Sequence, residues 1–73
     1  MNIIAQIEAL LFYYGEPIEI KKIAEILKIE ISVCENALTE LEKNLLETET
    51  RGLLLLRKER KVQLITKPEL KHI

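Results

Sequence analysis

The chain has no Asp and no Trp, and Ser, His, Cys and Met occur once each (Ser32, His72, Cys34, Met1). These gaps remove most catalytic constellations. A Ser–His–Asp triad lacks its Asp, and a structural zinc site lacks its four Cys and His ligands. One cysteine cannot form an internal disulfide, so nothing points to an oxidising compartment. No apolar run approaches the roughly 20 residues that cross a bilayer. Met1-Asn2-Ile3-Ile4 lacks the basic start of a signal peptide. Glu is plentiful, but nothing concentrates two of them in a concave site, which argues against a glycosidase-type pair. The 73 residues allow one small domain, which hides only about 60% of its unfolded surface. With 48% apolar and 32% charged residues the composition is globular. The expectation is a soluble, cytoplasmic, non-enzymatic module with no cofactor, metal, membrane or small-molecule substrate.

The net charge of −1 hides a split. Residues 1–50 carry ten Glu against four Lys, and residues 51–73 carry seven Lys and Arg against two Glu. A basic end can serve as a nucleic-acid contact. It can equally be a solvated hairpin whose cations guard its edge from strand addition. The second reading is preferred, because the run is short and no aromatic residue interleaves it.

Local patterns divide the chain into three helices and a hairpin. Ile3, Ile4, Ile7, Leu10, Leu11 and Tyr14 fall at helical spacing, with Asn2 as N-cap and Gly15-Glu16-Pro17 as the stop. A second helix fits Glu19 to Lys28, with Ile20, Ile23, Ala24 and Leu27 inward. Ser32 and Glu35 form an S-x-x-E capping box that predicts the start of a third helix. Cys34, Ala37, Leu38, Leu41 and Leu45 are its buried stripe, and it should fray near Glu47 to Glu49. Cys34 on that stripe reads as a small hydrophobe. Leu53 to Leu56 and Val62 to Thr66 then predict two strands around a polar turn, Arg57 to Lys61. Helix, helix, helix, hairpin is the order of an α+β winged helix-turn-helix, with the hairpin as wing. The domain is expected over residues 1–68, with 69–73 as a tail or the start of a linker to an absent second domain.

In a DNA-binding protein of this kind the third helix would enter the major groove. Here Ser32 to Glu49 carries five Glu against Lys43 alone and has no Arg. Phosphate neutralisation supplies much of the affinity for duplex DNA, so this helix would be repelled. A weak contact through the wing residues Arg57, Lys58, Arg60 and Lys61 is what remains of a DNA-binding reading. The alternative function is therefore a small winged-helix transcription regulator that uses its basic wing, although direct DNA binding is disfavoured.

The first helix has more apolar surface than its own domain can cover. Ala5, Ala9, Phe12 and Tyr13 cluster opposite the core stripe, interrupted only by Gln6 and Glu8. Small residues at 5 and 9 permit close approach of another helix, and Phe12 and Tyr13 are anchors of the type enriched at interfaces. This face predicts a twofold homodimer.

The stretch Ile7-Glu8-Ala9-Leu10-Leu11-Phe12-Tyr13-Tyr14-Gly15-Glu16-Pro17-Ile18 resembles the opening motif of the segregation and condensation protein B (ScpB) family. The likeness continues through Ile23-Ala24-Glu25-Ile26-Leu27, then Arg51-Gly52-Leu53 and Leu64-Ile65-Thr66-Lys67-Pro68-Glu69. It covers almost the whole chain. The resemblance implies the first of two winged-helix domains, in an accessory subunit of the bacterial SMC condensin, acting in chromosome condensation and segregation. It further implies self-association by this domain, and as partners the kleisin ScpA and, through it, SMC. Two positions depart from the family pattern. Glu19 stands where Ser is common before the second helix, and Lys28 where Gly is common after it, at a cost of about 1 kcal/mol for the left-handed conformation.

Overall fold

The structure is a computed structural model that describes residues 2–47 and 52–66. Helix α1 spans Ile3–Tyr14. Its start is held by Asn2, whose Oδ1 accepts from the N–H groups of Ile4 (2.6 Å) and Ala5 (3.4 Å). Its end is a left-handed Gly15 (φ 65°) whose N–H donates to the Leu11 carbonyl at 3.1 Å. A two-residue strand, β1 (Ile18–Glu19), leads directly into α2 (Ile20–Leu27). Helix α3 covers Ile31–Glu47, and strands β2 (Leu53–Lys58) and β3 (Lys61–Thr66) form the wing hairpin.

Three helices and an antiparallel sheet of order β1-β3-β2 make up the predicted winged helix. Strand β1 is an addition to the sequence reading. It pairs Ile18 with Val62 and Glu19 with Lys61, so the wing is fastened to the chain just before α2. The wing strands are also longer than expected. The polar stretch Arg57 to Lys61 is mostly strand, and Glu59-Arg60 alone form the turn, with Glu59 at φ 57°.

The capping box is a correction. The chain enters α3 at Ile31, and the first backbone bond of that helix runs from the Cys34 N–H to the Glu30 carbonyl at 3.0 Å. Ser32 therefore lies inside the helix instead of capping it. The turn before it explains why. At the end of α2 the Lys28 N–H donates to Glu25 (3.3 Å) and the Ile29 N–H to Ala24 (3.0 Å), a Schellman motif with Lys28 left-handed at φ 58°. That motif packs Ile29 against the core, and the next helix must start at once for Cys34 to reach its buried position. Packing outweighs a local capping preference of about 1 kcal/mol. At the other end of α3, Glu47 is its last described residue. The predicted fraying at 48 and 49 and the proposed tail at 69–73 lie outside the described residues.

The core draws on every element. Ile7 and Leu11 of α1, Ile23 and Ala24 of α2, and Cys34, Leu38, Leu41 and Leu45 of α3 meet Ile18, Leu55 and Val62 of the sheet. Leu10 and Leu27 are half-buried against this cluster, as is Ala37, which the sequence placed on the buried stripe. Tyr14 departs further from expectation. Although it continues the core stripe of α1, the fully buried positions of that helix stop at Leu11. Its ring instead stands edge-on to Tyr13, with centroids 5.7 Å apart.

Candidate self-association face

Ile7 and Leu11 fix the rotation of α1 by turning into the core, and this leaves the opposite side outward. Ala5 and Ala9 are exposed there, Phe12 is 62% exposed and Tyr13 85%. All four predicted face residues are thus brought together on one uncovered surface. Ala5 and Ala9 sit one turn apart, so a second helix can approach the backbone closely there, with Phe12 and Tyr13 in the turn that follows. Phe12, Tyr13 and Tyr14 form the one run of consecutive exposed large apolar residues in the described chain. The others, Ile26, Ile31, Val33, Leu46 and Leu56, are scattered over α2, α3 and β2. Scattered apolar residues are ordinary at a surface, whereas Phe12 and Tyr13 lie on the same side of α1 as the exposed Ala5 and Ala9.

The four basic wing residues are not brought together. Strand alternation sends Arg57 to the inner side of the sheet, where its Nη1 donates to Thr39 Oγ1 (3.3 Å) and lies 3.9 Å from Glu42 Oε1. Thr39 in turn donates to the Glu35 carbonyl at 3.1 Å. Arg57 is therefore engaged in holding the wing to α3. Lys58 and Lys61 sit directly opposite each other on the outer side. Arg60, in the turn, borders a hollow of about 380 Å³ between the wing tip, the start of α2 and the first turn of α3. That hollow mixes Glu19, Glu35 and Glu59 with Lys21, Arg57 and Arg60, so it presents no field of one sign to a charged ligand.

Cys34 behaves as the apolar reading requires. It is fully buried, and its thiol donates weakly to the Ile20 carbonyl at 3.9 Å. Burial, and secondarily the charge of Glu35, push its pKa up against a smaller opposing effect of Arg57, so the reactive thiolate is disfavoured. Among the described residues no three His, Cys, Asp or Glu side chains come together as metal ligands, and no helix is long and apolar enough to cross a membrane.

Comparison with known proteins bears on this arrangement. The family described as segregation and condensation complex subunit ScpB matches residues 5–73. A segregation and condensation protein B of Clostridium botulinum (strain Kyoto / Type A2) is 46% identical over 63 residues, which cover 86% of this chain and 32% of the relative. One from Clostridium tetani (strain Massachusetts / E88) is 40% identical over 63 residues, covering 86% of this chain and 33% of its own length. This chain thus spans about a third of the length of such relatives. Among solved structures, the crystal structure of a dimer of the ScpB N-terminal domain complexed with an ScpA peptide superposes with a TM-score of 0.86. It is 28% identical to this chain and the match covers 94% of this chain and 85% of the other.

Proposed function

The chain belongs to the ScpB family of segregation and condensation complex subunits, and we propose that it works by self-association as part of a non-enzymatic accessory subunit of the SMC condensin. In this reading two copies pair through α1 about a twofold axis that passes near Ala9. The resulting platform holds the kleisin ScpA and, through it, SMC, in chromosome condensation and segregation in the bacterial cytoplasm. Residues 1–68 form the domain in this proposal, and 69–73 are a tail or the start of a linker to a second domain.

The observation that carries the reading is the exposure of Phe12 and Tyr13 on the side of α1 turned away from the core. Burying those two rings in a dimer contributes on the order of 1.5–3 kcal/mol each. A charge at the centre of the face removes that gain. Sedimentation at micromolar concentration should show a dimer for the parent chain and a monomer for Ala9→Glu, with unchanged helical content. A parent chain already monomeric under those conditions overturns the proposal. The competing DNA-binding reading has less support. Arg57 is held against α3, and α3 itself bears an excess of carboxylates. Salt-dependent retardation of duplex DNA in a mobility-shift titration would revive it.

A further inference from the structure

The wing hairpin turns on two residues, Glu59 and Arg60, between the facing pair Lys58 and Lys61. Glu59 has a φ of 57°, and Arg60 is not left-handed. A positive φ at the first central residue alone is the pattern of a turn that favours Gly there, because a Cβ strains it. The flanking pair adds a second unfavourable feature, since like charges directly opposite weaken an antiparallel ladder. Glu59 and Glu19 stand beside these lysines. Being exposed, they offset the repulsion only in part. One residue further in, Arg57 is tied to α3 through Thr39 at 3.3 Å and Glu42 at 3.9 Å. That tie anchors the base of the wing and leaves the tip to its own contacts.

Those contacts run to the start of α2. The Arg60 carbonyl accepts the Ile20 N–H at 2.8 Å, in place of a side-chain cap from Glu19. Lys61 and Val62 pair with Glu19 and Ile18 of β1, and β1 runs into α2 with no residue between. Ile18, Ile20 and Val62 are buried at this join. Movement of the tip takes the Arg60 carbonyl away from Ile20, and unwinding of the first turn of α2 releases the tip. The strained element and the helix start it satisfies are mechanically one piece.

We propose that Lys58 to Lys61, β1 and the first turn of α2 form a strap that opens and closes as one unit, hinged at Arg57, while the rest of the fold stays in place. Opening frees the Ile20 N–H and bares Ile18 and Ile20. A ligand that engages the wing tip therefore changes the order of α2, and a partner on α2 changes the wing tip by the same factor. Helix α1 lies outside the strap, so the inference stands apart from pairing through α1.

Native-state hydrogen exchange of the 73-residue chain, read by NMR at neutral pH over a series of low denaturant concentrations, tests the strap. The amides of Ile20, Val62 and Ala24, one turn on from Ile20, should share a single opening free energy. It should lie below that of Leu38 and Leu41 in α3, and it should change little with denaturant because little surface is exposed. Two variants then relieve the tip without altering a residue of α2. Glu59→Gly removes the backbone strain and should slow exchange at all three amides by about threefold or more. Lys58→Thr removes the like-charge pair and should slow them by about twofold. Ile20 and Ala24 opening only together with Leu38 and Leu41 in the parent overturns the inference, because no separate unit then exists. It is overturned equally if Glu59→Gly leaves Ile20 and Ala24 exchanging as in the parent, whether or not Val62 slows.

Discussion

Helices α1 and α2 are bounded by nearly the same backbone geometry, reached with different means. The residue before each is extended, Asn2 at φ −67° and ψ 136°, and Glu19 at φ −67° and ψ 140°. The residue after each is left-handed, Gly15 at φ 65° and Lys28 at φ 58°. For α1 the local side chains suit the task. Asn2 caps two N–H groups and Gly15 has no Cβ to strain. For α2 they do not. Glu19 makes no side-chain cap, and the Ile20 N–H is satisfied by the Arg60 carbonyl of the wing turn at 2.8 Å. Its left-handed Lys28 is held by the Schellman bonds and by Ile29 in the core. So α1 is determined locally and can leave a whole side bare for a partner, while α2 is determined by what surrounds it.

Exchanging the two C-terminal residues tests that contrast most severely. Gly15→Ala should cost about 1–2 kcal/mol in denaturant unfolding, all of it from the backbone conformation, since a Cβ built there meets nothing within 4 Å. Lys28→Gly should stabilise the domain by up to about 1 kcal/mol. If both changes are neutral, the left-handed residues are not where the two helices differ. The N-termini give a smaller effect. Asn2→Ala should lose about 1 kcal/mol with its cap, whereas Glu19→Ala should stay within about 0.5 kcal/mol, its cross-strand contact with Lys61 being the main thing removed. Equal losses at both positions would mean that Glu19 caps α2 after all.

The same contrast explains what could be read from the residues in advance. Asn2, the apolar stripe and Gly15 announce α1 because each signal acts within a few residues. The two-residue β1 carries no periodicity of its own. It exists because Val62 and Lys61 come alongside, and only the fold brings them there. Ser32 and Glu35 misled for a related reason, since a capping box is a local preference and the Schellman turn with its buried Ile29 is a tertiary demand. At the candidate interface, Ala5, Ala9, Phe12 and Tyr13 were legible because helical geometry alone sets them opposite Ile7 and Leu11. The register of the wing was not, because it is set by where the two-residue turn Glu59-Arg60 falls. The extended polar run from Arg57 to Lys61 did not disclose where that turn falls.

Cys34 offers the gentlest probe of how α2 is held, because its thiol meets the Ile20 carbonyl in the first turn of that helix. Burial raises the thiol pKa in the folded chain, so the unfolded chain loses its proton first, near the ordinary thiol pKa of about 8.5. Below that pH both states are protonated and the contribution to stability is intact. As the pH rises toward the folded-state pKa, the unfolded state binds fewer protons and the stability falls. Denaturant unfolding of the parent should therefore show an alkaline decline that Cys34→Ala lacks, even though the variant is less stable at neutral pH from its cavity. Hydrogen exchange at alkaline pH should show the α2 amides opening before those of α1 once intrinsic exchange is corrected for. Parallel pH profiles for the two proteins would show that burial in the fold does not hold the thiol protonated beyond its ordinary range.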